Sequence, residues 1–162
     1  MRPYLWLLVF SLAVPACAHK KMPQQSTAAS PTPPAQAGPV LVFQRTPCYG
    51  TCPAYTATVF ADGRVEYEGQ RFVPVLGKHP LRLPPATVAD MLAEAQRIGF
   101  TKLDERYSRN TSDLPATLIT VHPAGQPAKS VFAEEGIPAS LLGYITYLKS
   151  KLDPLAGIGA EE

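Results

Sequence analysis

The chain has 162 residues, 46% hydrophobic and 17% charged, proportions of an ordinary globular domain that exclude collagen-like, coiled-coil and wholly disordered chains. Its 15 Lys and Arg exceed its 13 Asp and Glu by two, but Arg2, Lys20 and Lys21 all precede residue 40, so the remainder is nearly neutral. No nucleic-acid partner is expected, because phosphate binding needs a clustered excess of Lys and Arg.

Arg2 is followed by the uncharged apolar run of residues 4–14, YLWLLVFSLAV. This is a basic start and a hydrophobic stretch well short of the roughly 20 residues that span a bilayer as a helix, the pattern of a secretion signal. It ends in Leu12-Ala13-Val14-Pro15-Ala16-Cys17. These residues resemble the bacterial lipoprotein signal, the lipobox, with aliphatic Val14 and small Ala16 in place and Pro15 departing from the usual small residue. The resemblance implies that residues 1–16 are a signal peptide, that the Cys17 thiol carries a diacylglycerol, and that the mature chain is tethered by lipid. Two or three acyl chains hold such a tether stably. The expected location is the bacterial cell envelope, facing the periplasm. Ala18 is not the aspartate associated with inner-membrane retention, which points to the outer membrane.

Residues 17–39 read as the lipidated cysteine and a linker. Residues 18–39 contain five prolines and no Val, Ile, Leu or aromatic side chain. Such a segment buries too little apolar surface to offset the entropy of ordering it, so it is expected to be a flexible stalk.

A single domain is expected over residues 40–153, with a tail at 154–162. Residues 40–45 form a short apolar strand, and residues 55–60 and 64–69 flank Asp62-Gly63, a strong hairpin signal. A two-residue type I′ turn there would put Phe60 opposite Val65 and Thr58 opposite Tyr67 on one face. Val59 with Glu66 and Ala57 with Glu68 would form the wetter face. Residues 71–76 and 78–83 offer one or two more strands, with Pro74 and Pro80 indicating edges or bends. After Pro84-Pro85, Val88, Met91, Leu92, Ala95 and Ile98 form one helical stripe that Gly99 ends. Residues 101–115 read as an irregular polar stretch. Residues 117–122 and 129–132 are strands joined by the turn at 123–126. A second helix from Pro138 to about Leu152 places Leu141, Leu142, Ile145, Leu148 and Leu152 on one face. The fold class is therefore α+β: a small antiparallel sheet built from hairpins, with two helices packed on one face.

The most distinctive segment is Arg45-Thr46-Pro47-Cys48-Tyr49-Gly50-Thr51-Cys52-Pro53-Ala54-Tyr55. With the strand and Asp-Gly turn after it, Gly69, Gly99-Phe100, Asp113-Leu114-Pro115 and Leu152-Asp153, it resembles a bacterial envelope family, the domain of unknown function 6438. The resemblance covers about residues 40–153 and implies no activity. From spacing and compartment, Cys48 and Cys52 can close a disulfide around Gly50, a local brace for the turn that feeds the hairpin. Three other readings are open. A redox role lacks the helix N-terminus that usually lowers a thiol pKa. Metal binding would need two more ligands, and His79 and His122 have no paired spacing. Nucleophilic catalysis has no base placed near either thiol by the sequence.

Tyr49, Tyr55 and Tyr67 are candidates for an aromatic binding surface near the cysteines. Asp113, in the polar stretch, is a further candidate, although its place before Leu114-Pro115 also suits a turn. Glu66 and Glu68 share a strand face but read as solvated. No catalytic set, metal site or cofactor motif emerges. The expected function is a lipid-anchored, non-enzymatic binding or structural module whose partner is a protein or another envelope component. The alternative is a thiol-redox protein or enzyme using Cys48 and Cys52.

Overall fold

The computed structural model describes residues 38–109, 111 and 113–159. The expected signal segment, Cys17 and the linker up to residue 37 lie outside the described residues. Seven strands form one sheet: β1 (Leu41–Arg45), β2 (Ala54–Val59), β3 (Arg64–Arg71), β4 (Gly77–Arg82), β5 (Arg106–Tyr107), β6 (Thr117–Val121) and β7 (Lys129–Ala133). Their order is β4-β3-β2-β1-β6-β7-β5. All neighbours are antiparallel except β5 and β7. The helices α1 (Pro85–Arg97) and α2 (Ala139–Leu152) pack their buried side chains into one core with the sheet. The fold is α+β, and no helix among the described residues is long and apolar enough to cross a membrane.

Alternation along the strands selects the core face. Three cross-strand rows line it: Leu81, Val65, Val59, Leu41 and Val121; His79, Tyr67, Ala57, Phe43 and Ile119; Gly77, Gly69, Tyr55, Arg45 and Thr117. The opposite face carries Thr56, Thr58, Glu66 and Glu68 on β2 and β3.

The β2–β3 hairpin corrects the expected register by one residue. Val59 pairs with Val65 and Ala57 with Tyr67, on the core face, while Thr58 pairs with Glu66. The connection is a three-residue loop closed by Phe60 N–H to the Arg64 carbonyl (2.9 Å) and Gly63 N–H to the Phe60 carbonyl (3.0 Å). Only Gly63, at φ 85°, takes positive φ; Asp62 does not, so the type I′ turn does not form. The one-residue shift exchanges the faces of the β2 side chains relative to β3, moving Val59 and Ala57 to the core face with Val65 and Tyr67.

The expectation of strands around Pro74 and Pro80 divides. Residues 72–76 are an irregular connection, and β4 is an exposed edge strand that accommodates Pro80. The polar stretch contains a 3-10 turn (Phe100–Lys102) and the two-residue β5, which docks in parallel on β7. In α2, Leu142 is exposed and Tyr144 occupies the core instead, its hydroxyl donating to the Met91 carbonyl at 3.1 Å. The packed chain also runs beyond the expected boundary at Asp153. A 3-10 turn (Asp153–Ala156) buries Ala156 completely and sets Leu155 and Ile158 against the core.

Candidate binding surface at the disulfide end of the sheet

Strand direction gathers four chain segments at one end of the sheet. The β1–β2 connection (46–53), the β3–β4 connection (72–76), the approach to β6 (113–116) and the turn after α2 all lie beyond the row of Arg45, Tyr55 and Gly69. Val40, through which the chain enters β1, lies at the other end.

The β1–β2 connection is braced twice. Cys48 and Cys52 form a disulfide with their Cα atoms 5.6 Å apart, and the Gly50 N–H points at the Cys48 sulfur at 3.2 Å. Thr46 clamps the loop to the approach to β6: its N–H donates to the Ala116 carbonyl (2.9 Å), and its Oγ1 accepts from the Ala116 N–H (2.8 Å). Between the cysteines, Tyr49 stands 91% exposed.

Beneath this loop, α2 ends at a polar cluster. Tyr55 Oη donates to Asp153 Oδ1 at 2.6 Å, and Arg45 Nη1 donates to both Asp153 oxygens at 3.1 and 3.2 Å. Arg45 and Tyr55 are direct cross-strand partners, so β1 and β2 present one charge and one hydroxyl to the same carboxylate. Burial, and then the hydrogen bond and charge of Asp153, push the Tyr55 hydroxyl far above the ordinary phenol range, with Arg45 opposing. Burial chiefly, and Asp153 next, raise Tyr67 too. Both hydroxyls therefore act as neutral donors rather than as acids or bases.

Tyr67 lies beside Tyr55, ring centres 5.5 Å apart, and donates to the Val75 carbonyl at 2.9 Å. Gly69, opposite Tyr55, leaves the space that the β3–β4 connection fills. A Cβ there would fall 1.9 Å from the Val75 carbonyl oxygen. Val75 N–H in turn donates to the Ala156 carbonyl (3.3 Å), tying the connection to the chain after α2.

The braced loops expose apolar side chains. Phe72 is 47% and Leu76 59% exposed, and Leu114 is exposed as well. Phe72 has φ 53°, a left-handed conformation that costs a bulky residue about 1–2 kcal/mol, with the Arg71 guanidinium 5.1 Å from its ring centre. Asp113, at φ 72°, turns the approach to β6. Strained residues that hold an aromatic side chain in solvent are a mark of binding sites.

The expected surface of Tyr49, Tyr55, Tyr67 and Asp113 thus separates into two layers. Tyr49 and Asp113 are at the surface; Tyr55 and Tyr67 are buried supports below it. Glu66 lies on the open face of the sheet and pairs with Arg64 at 2.7 Å. His79 and His122 stand on β4 and just after β6, and no group of three or more His, Cys, Asp or Glu side chains that could hold a metal ion occurs among the described residues. The sequence places Arg45 at the start of the cysteine segment and Asp153 in the closing aliphatic-Asp pair, but assigns neither a role. Nothing in the local sequence marks Phe72.

No curated protein matches this chain, and no solved structure does. A family model described as a domain of unknown function, DUF6438, matches residues 39–152, and the chain belongs to that family.

Proposed function

We propose that the protein is a bacterial envelope lipoprotein, anchored through Cys17 in the outer membrane, whose domain is a non-enzymatic binding module. The periplasmic domain sits on the stalk of residues 17–39 and engages a protein or another envelope component. The observation that carries this reading is the disulfide end of the sheet, where Tyr49, Phe72, Leu76 and Leu114 stand in solvent on loops held by a disulfide, the Thr46–Ala116 clamp and the Asp153 cluster. Clustered aromatic and aliphatic side chains on a rigid scaffold bind without a large ordering entropy.

Two experiments test the reading. In cells, a photo-crosslinking amino acid at Tyr49 or Phe72 should capture a discrete partner, whereas one at Ser130 on the open sheet face should not. Equal capture from Ser130 would remove the assignment of this surface. Cys17→Ser should leave the protein unprocessed and out of the outer-membrane fraction; normal processing and fractionation would overturn the anchor. Loss of function without loss of stability on replacing Cys48 and Cys52 by Ser would instead favour thiol–disulfide chemistry.

A further inference from the structure

We propose that a second site, at the opposite end of the sheet, binds a small amphipathic anion: a compact apolar body carrying a carboxylate. A cavity of about 500 Å³ lies where the end of α1 and the 3-10 turn after it face the end of β6 and its following turn. That volume falls within the range of sites for small molecules. Half-buried Val40 and Leu92 contribute its apolar wall, with the buried Phe100 and Val121 behind them.

The polar part of the lining is rich in donors. Lys102, His122 and Gln126 border the cavity, and no Asp or Glu side chain lines it. None of these three side chains has a hydrogen-bond or ion-pair partner among the described residues. Lys102 forms no ion pair among the described residues, while Glu94 of α1 is held by Arg97 at 2.5 Å and Glu105 by Lys129 at 3.7 Å. An ammonium offers three donors and no acceptor, so a carboxylate is the group that satisfies it.

One effect opposes an anion: α1 directs its carbonyl end toward this region. The Glu94 and Gln96 carbonyls, however, already accept from the Ile98 and Gly99 N–H groups, at 3.1 and 2.9 Å. The residual partial charge of a helix end is smaller than the full charge of Lys102. An apolar wall with a few convergent donors selects an amphipathic ligand over a free inorganic anion, which would leave the half-buried Val40 and Leu92 uncovered.

Titration of the isotope-labelled full-length chain with 2-naphthoate, followed by NMR, tests the site. Amide shifts are expected at Lys102, Val121 and His122, with 2-naphthoate binding at least tenfold more tightly than the neutral 2-naphthalenemethanol. Lys102→Glu should weaken 2-naphthoate at least tenfold and leave the alcohol unchanged; Lys102→Met should fall between. Lys102 is exposed, so an unchanged thermal midpoint will show that the variants fold. The proposal is overturned if the alcohol binds as well as the carboxylate, if Lys102→Glu retains 2-naphthoate, or if these amides do not move up to the solubility limit. Inorganic phosphate producing the same shifts at the same affinity would also overturn it, since the apolar wall would then play no part.

Discussion

Asp153 is the residue on which the disulfide end turns, because it accepts hydrogen bonds from two strands at once. The Tyr55 hydroxyl is buried and neutral, and its loss leaves the carboxylate with Arg45 alone. Tyr55→Phe should therefore cost about 1.5–3 kcal/mol near neutral pH, the usual range for a hydrogen bond to a charged group. The pH dependence follows from the direction of the shifts. Tyr55, Tyr67 and Tyr144 all hold their protons to higher pH folded than free, chiefly because they are buried. Their contribution is complete below about pH 10, the ordinary phenol value, and is lost as the pH rises through the folded values. Stability should fall above that point by up to about 1.4 kcal/mol per pH unit for each tyrosine. Urea midpoints from pH 7 to 11 should show the gap between wild type and Tyr55→Phe narrowing on the alkaline side. A constant gap would mean that Tyr55 does not carry the alkaline limb.

At the scale of elements, what the sequence made legible was whatever depends on near neighbours. The α1 stripe, its Pro84-Pro85 entry and its Gly99 exit are local, and they appear as read. The β2–β3 register is not wholly local: Gly63 alone adopts positive φ, and its carbonyl accepts from the Leu83 N–H at 2.8 Å, a contact twenty residues away. Leu142 and Tyr144 in α2 show a related limit, since periodicity marks a stripe but not which edge of it meets Met91. The Asp153 cluster joins residues 98 and 108 positions apart, and no pattern within one segment encodes it. The disulfide lies at the legible extreme. Its two cysteines are four positions apart, so removing it frees little chain entropy. Replacing both by Ser should cost about 2 kcal/mol in urea unfolding. Hydrogen exchange should rise at residues 48–52 and stay slow at Thr46 and Ala116, whose mutual hydrogen bonds do not depend on sulfur. Loosening of Ala116 in the reduced protein would show that the disulfide and not the clamp holds the loop.

Across the whole domain, the two ends of the sheet are held by different parts of the chain. The end at Val40 is closed by neighbours in sequence, through the β2–β3 loop and the start of α1. The disulfide end is closed by the last described segment, which crosses back over the β3–β4 connection. Ala156 is buried there, Leu155 and Ile158 pack against the core, and a Cβ added to Gly157 would lie 2.9 Å from Pro74. Removing residues 154–162 should therefore act on that end selectively. The lost apolar burial corresponds to roughly 2–4 kcal/mol, enough to lower the thermal midpoint by several degrees. Its local signature is sharper. Val75 loses its acceptor at Ala156, so its amide should exchange much faster, and Phe72 should lose the support that keeps its ring in solvent at φ 53°. Amides at Val121 and His122, at the far end, should keep their wild-type protection relative to global unfolding. Crosslinking through Phe72 should weaken in the same truncated chain. Uniform loss of protection at both ends would mean that the terminal segment supports the whole sheet; unchanged exchange at Val75 would mean that the β3–β4 connection stands on Gly69 and Tyr67 alone.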